Sequence, residues 1–191
     1  MVVRHKEFDP DVALDRAMEM FWERGYEATS IQDLVEGMGI GRRSLYDTFG
    51  DKHALFIQSL NRYADTLSGR LGSVLDTAKT GREAVRDLLS VVLQPTAHLK
   101  GCLLVNSATE VAARDNEAAQ HIDQYLVRSR ETMLEAVRRG LQDGSITDRA
   151  KPEALTSMLV NAWLGLRVSV RSGVDRKRLR KDIDEIMSLL D

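Results

Sequence analysis

Apolar residues recur along this chain at three- and four-residue intervals, and no stretch keeps the two-residue alternation of a half-buried strand. Between Asp9 and Gly25 the stripe is Leu14, Ala17, Met18 and Phe21, the spacing of a helix with one buried side. Asp9 is placed to cap it, and Pro10 falls in the first turn, where a missing N–H costs nothing. A second helix should start at Thr29 or Ser30, carry Ile31, Leu34 and Val35 on one face, and end at Gly37 and Gly39. After Ile40 the chain restarts as a third helix, with Leu45 and Phe49 inward and Arg42, Arg43, Ser44 and Tyr46 outward. Asp51 opens a long fourth helix through Leu55, Phe56, Leu60, Tyr63, Leu67 and Leu71.

Beyond about residue 78 the same periodicity builds a second, larger unit. Thr80 starts a helix through Val85, Leu88, Leu89 and Val92, and Pro95 should kink it. Gly101 breaks the chain, Cys102 begins a sixth helix, and a long seventh runs from near Asn116 to Gln142. Pro152 opens an eighth helix and Asp175 caps a ninth. The eighth is apolar almost all round, including Leu155, Met158, Leu159, Val160, Trp163, Leu164, Leu166 and Val168, so a partner chain should supply one of its walls. The expected fold is all-α, with about nine helices in two domains, 1–50 and 51–191.

Two short helices joined by a glycine-marked turn, the second opening on two arginines, have the layout of a helix-turn-helix, whose second helix enters the major groove of DNA. Gly39-Ile40-Gly41-Arg42-Arg43-Ser44-Leu45-Tyr46, followed by Phe49 and Lys52, resembles the DNA-binding motif of the TetR family of bacterial transcriptional repressors. Phe21, Gly25, Tyr26, Thr29 and Ile31 fall where that family's upstream pattern has them. The resemblance implies a homodimer joined through its last two helices, a palindromic DNA operator, and release by a small-molecule effector held in the second domain. It further implies phosphate contacts from Thr29, Ser30, Tyr46 and Lys52. Arg42, Arg43 and Ser44 are the candidates for base edges, arginine being able to grip a guanine bidentately. Gly41 stands where the family often has a serine, and Asp47 puts an acid into the recognition helix, where it can pair with Arg43 across one turn. Arg4 and Lys6 form a candidate mobile arm.

Net charge is −2, so affinity for DNA must come from a local basic surface. The acids Asp11, Asp15, Glu19 and Glu23 should face away from that surface. One cysteine among 191 residues excludes an internal disulfide. With no leader-like segment or membrane-length apolar run, a reducing, cytoplasmic setting is expected. His5, His53, His98 and His121 share no metal-ligand spacing, so neither metal nor cofactor is expected. The run Arg176 to Lys181 is flanked by acids and is expected to be a solvated helical face.

Candidate effector contacts are Phe56, Tyr63, His98, Cys102, Asn106, Tyr125, Met133, Met158 and Trp163, the apolar or amphipathic members of the larger domain's inward stripes. Cys102, beside Lys100 at a helix start, is also a candidate sensor of electrophiles or oxidants, since both features favour thiolate. An all-helical enzyme with an accidental helix-turn-helix is the rival class. The chain lacks a phosphate loop, a metal motif and a nucleophile–base set that would support it.

Overall fold

The computed structural model describes residues 8–94, 100–147 and 150–191. Among these the chain forms α1 (Pro10–Arg24), α2 (Ile31–Met38), α3 (Arg42–Phe49), α4 (Lys52–Thr77), α5 (Gly81–Ser90), α6 (Leu103–Glu110), α7 (Asn116–Gln142), α8 (Pro152–Arg171) and α9 (Arg176–Ser188). Strands are absent from the described residues. Side-chain caps set most of the starts. Asp9, Ser30, Asp51, Thr80, Asp115 and Asp175 each accept from first-turn amides, satisfying N–H groups that the helix itself cannot.

The first three helices close on Ala13, Ala17, Phe21, Leu34, Met38, Leu45 and Phe49, all buried. Leu14 and Met18, expected at the centre of the α1 stripe, lie at its half-buried edge. α4 leaves this cluster and continues into the second one. Its buried face of Leu55, Phe56, Leu60, Tyr63, Leu67 and Leu71 packs on α1 at one end and on α7 further along. α5 lies against α7 with glycines at the crossing. A Cβ on Gly81 would sit 2.4 Å from Gly140 Cα, so the two backbones approach more closely than any larger residue permits.

The helix beginning at Thr80 ends before it reaches the expected kink site. It stops at Ser90, tightens into a 3-10 turn over Val91–Leu93, and Gln94 is extended. The residue before a proline is driven out of the helical region, so the helix ends first. Pro95 itself, like Arg4, His5, Lys6 and His98, lies outside the described residues.

Candidate nucleic-acid interface and regulatory cavity

α3 is anchored from below and open above. Leu45 and Phe49 are buried, while Arg42, Arg43, Tyr46 and Asp47 stand in solvent, Tyr46 at 45% exposure. No acid occupies its first turn, and Gly41 precedes it without a side-chain cap, leaving those amides open. Arg43 Nε lies 3.5 Å from Asp47 Oδ2, the one-turn pair expected from the sequence, and Arg42 has no ion-pair partner among the described residues. Ser44 is half-buried beside them.

The turn before α3 is built by Gly39, whose φ of 70° suits glycine, and its N–H reaches back to the carbonyls of Val35 and Glu36. Arg16 of α1 donates to the carbonyl of Met38 at 2.9 Å, pinning the end of α2. At the start of α2, Ser30 and Asp33 form a reciprocal capping box. Hydrogen bonds from the Ser30 side chain and backbone hold the Asp33 carboxyl below its ordinary pKa. Thr29, expected at the phosphate surface, is buried instead. Its hydroxyl donates to the carbonyl of Gly25 at 2.6 Å, a bond that closes the end of α1 and turns the side chain inward. Lys52 is half-buried at the start of α4, its ammonium 4.3 Å from the centre of the Tyr26 ring.

The acids of α1 are engaged elsewhere. Asp11 and Asp15 pair with Arg62 of α4, and Glu19 and Glu23 take Lys100 at 2.6 and 2.7 Å. Lys100 is thus engaged by two carboxylates of α1, and the guanidinium facing Cys102 is that of Arg167. Cys102 is the residue before α6 rather than part of its first turn, is fully buried, and faces Arg167 and Tyr63.

A cavity of about 120 Å³ lies where α1, α4, the 3-10 turn and α8 meet, walled by Trp22, Tyr63, Leu67, Val92, Arg167 and Val170 among others. Of the nine expected effector contacts, Tyr63 lines it. Phe56 packs edge-on against Phe21 in the core, and Cys102, Tyr125, Met133 and Trp163 are buried packing residues. Asn106 donates to the carbonyl of Lys100. Met158 is 37% exposed on the outer side of α8, not inward, because the α8 stripe that meets α7 and α9 runs through Leu159, Trp163, Leu166 and Val170. Periodicity located the buried face of α8 but did not separate it from the second apolar face.

A connection the sequence did not reveal runs through α6. The Glu110 carboxylate accepts from the backbone N–H groups of Tyr26 (3.1 Å) and Glu27 (2.9 Å), in the loop that feeds α2. Nearby, His53 of α4 lies 2.8 Å from Asp115. Burial alone would raise the Asp115 carboxyl, but the Ala118 amide and His53 outweigh it and hold it below the usual range. α6 thus begins beside Arg167 and ends on the helix-turn-helix.

An exposed helix opening on two arginines, carried on a two-helix support and joined by shared struts to a second helical unit, defines a helix-turn-helix DNA-binding protein. Residues 13–58 match the family described as "Bacterial regulatory proteins, tetR family", and residues 81–186 match "Tetracyclin repressor-like, C-terminal domain". The chain belongs to the TetR family. It is 32% identical to the uncharacterized HTH-type transcriptional regulator YezE of Bacillus subtilis (strain 168), over 98% of this chain and 99% of that protein. It is 29% identical to the HTH-type transcriptional repressor ComR of Escherichia coli (strain K12), over 92% and 86%. A solved structure of a cysteine mutant of the TetR family transcriptional regulator CifR, in complex with 26-bp double-strand operator DNA, superposes with a TM-score of 0.83. It shares 32% identity and covers 98% of this chain and 100% of that one. Among the described residues no helix is long and apolar enough to cross a membrane, and no group of three His, Cys, Asp or Glu is placed to hold a metal ion.

Proposed function

We propose that this chain is a dimeric TetR-type repressor that reads a palindromic operator through α3 and leaves it when a small molecule binds the second unit. The observation that carries the reading is the first turn of α3, acid-free and solvent-facing, with Arg42 and Arg43 held out by the buried Leu45 and Phe49. Arg42, Arg43 and Ser44 read base edges. Gly41 brings the backbone close to phosphate, where the open amides of α3 bind an anion. Ser30, Tyr46 and Lys52 hold further phosphates. The reading unit spans residues 1–50 and the effector and dimer unit 51–191, with α4 common to both in action. The protein works by binding rather than turnover, in the cytoplasm, where its operator lies.

Release follows from the struts. Movement of α4 or α6 changes the position of both recognition helices relative to the two-fold axis, and so the spacing of the half-sites they fit. Sequencing the duplex fragments retained by the purified protein tests the reading. A palindrome with half-sites about one or more helical turns apart supports it. Retention of no duplex, or of every duplex equally, overturns it.

A thiol trigger is the second reading, favoured by the burial of Cys102 against Arg167 at the start of α6. Cys102 is fully buried, so bulk added to that sulfur must displace its neighbours, the start of α6 among them. If Cys102→Ser protein still leaves DNA on treatment with an electrophile, this trigger is ruled out.

A further inference from the structure

Arg167 is 4% exposed, and among the described residues no carboxylate pairs with it. Its guanidinium lies 3.7 Å from the centre of the Trp163 ring, and its Nε and Nη2 have no hydrogen-bond partner among the described residues. The groups facing it are Cys102, Tyr63 and Tyr125. Burial pushes both tyrosines well up, so they stay neutral and offer no formal charge. With the Cys102 sulfur as its nearest polar partner and no described carboxylate beside it, this buried guanidinium is costly, and an anion entering next to it would relieve that cost.

The surroundings indicate what that anion carries. Arg167 lines the cavity described above, and so does Trp22, whose buried Nε1 also lacks an acceptor among the described residues. Two residues with orphaned donors thus border one small space, whose described lining also includes the apolar Leu67, Val91 and Val92 and the exposed, polar Thr66 and Arg70. The volume of about 120 Å³ is near that of cavities known to take one benzene ring. The lining has one acid, Glu19, already paired with Lys100. A single interior guanidinium beside a largely apolar space suits a planar monoanion such as a carboxylate.

We propose that this cavity is a receptor for a small aromatic or compact aliphatic carboxylate, its charge paired with Arg167 and its apolar body lying between Trp22, Leu67 and Val92. The site deepens the effector reading above and rests on it for its regulatory meaning. Trp22 belongs to α1, Tyr63 to α4 and Arg167 to α8, so an occupant touches the reading head and the regulatory helices at once.

The test uses the full-length protein, titrated calorimetrically with benzoate, phenylacetate and cyclohexanecarboxylate and with their uncharged amides. Saturable binding of at least one acid, about tenfold or more tighter than its amide, is the expected result. Arg167→Met should abolish that preference while raising the melting temperature, because it removes an unpaired buried charge. Thr66→Trp, at an exposed position on the cavity lining, keeps Arg167 and should weaken acids and amides together. The inference is overturned if no acid saturates below about 10 mM, if acids and amides bind alike, or if Arg167→Met retains the preference. Operator retention measured without any acid separates the two claims. A protein that binds acids but no duplex sinks only the regulatory reading, and one that grips its operator but ignores charge sinks only this site.

Discussion

Arg43 and Lys52 are both cations near the recognition helix, yet they should fail differently when removed. Arg43 stands free of the fold except for its surface pair with Asp47, so the folded state loses little with it. Its proposed work is at base edges, where one bidentate contact discriminates by about 1–3 kcal/mol. Arg43→Ala is therefore expected to weaken operator binding about tenfold or more while barely changing affinity for random duplex, as gel shifts on the two DNAs will show. Equal losses on both would reject base readout. Lys52→Ala should weaken all duplexes alike and flatten the salt dependence by about one unit of slope. The outward placement of Arg42, Arg43 and Tyr46 was legible in the sequence because they lie within one short window whose local periodicity fixes which sides face out. Thr29 was not, since whether its hydroxyl met phosphate or the Gly25 carbonyl depended on how α1 ends.

At the scale of elements, several helix ends rest on ionised carboxylates. Asp33 boxes the start of α2, Asp115 caps α7, and Asp143 accepts from the N–H of Gly81 at the start of α5. All three carboxyls are held below their ordinary values: Asp33 by Ser30, Asp143 by Ser145 and the Gly81 amide, and Asp115 by its amide and histidine bonds against burial. A depressed folded pKa stabilises above the unfolded value of about 4 and is lost as pH falls through the folded one. Asp87 works the other way, because burial raises it. The urea midpoint should thus hold between about pH 5 and 7 and fall steeply below about pH 4. A midpoint unchanged at pH 3.5 would contradict the carboxylate account. The α5–α7 crossing makes a second demand. Gly140→Ala must push into Ile146, whose side chain lies 2.5 Å from the new Cβ, and into the Arg82 backbone at 3.3 Å. Overpacking of this kind costs about 1–3 kcal/mol, so the melting temperature should drop by several degrees with the operator sequence unchanged. Caps and stripes could be read from the chain because they are local. The near-contact of Gly81 with Gly140 joins residues far apart in sequence, and no spacing announces it.

Taken whole, the molecule has two apolar surfaces on α8 and only one of them is covered by its own chain. Met158, Asn161, Gly165 and Val168 follow one another at three- and four-residue steps along the outer side, all exposed, Val168 at 51%. A Cβ on Gly165 would meet nothing within 4 Å, so a small residue there leaves room for a close approach from outside. The all-round apolarity read from the sequence thus has two parts, an inner wall against α7 and α9 and an outer strip that the chain itself leaves uncovered and on which we place the second copy. The cavity was less legible, because it draws on α1, α4, the 3-10 turn and α8, and only packing brings Trp22 to Arg167. Both strips matter to DNA reading, since two recognition helices act together only when α8 holds the copies in register. Val168→Glu places a charge on the outer strip and leaves the core untouched. It should give a monomer by sedimentation at micromolar concentration, with helical content intact and operator affinity reduced about a hundredfold or more as the second half-site is lost. If the variant stays dimeric and binds its operator as before, the dimer is built on a different face, and α4 and α6 would have to transmit effector binding to heads oriented in another way.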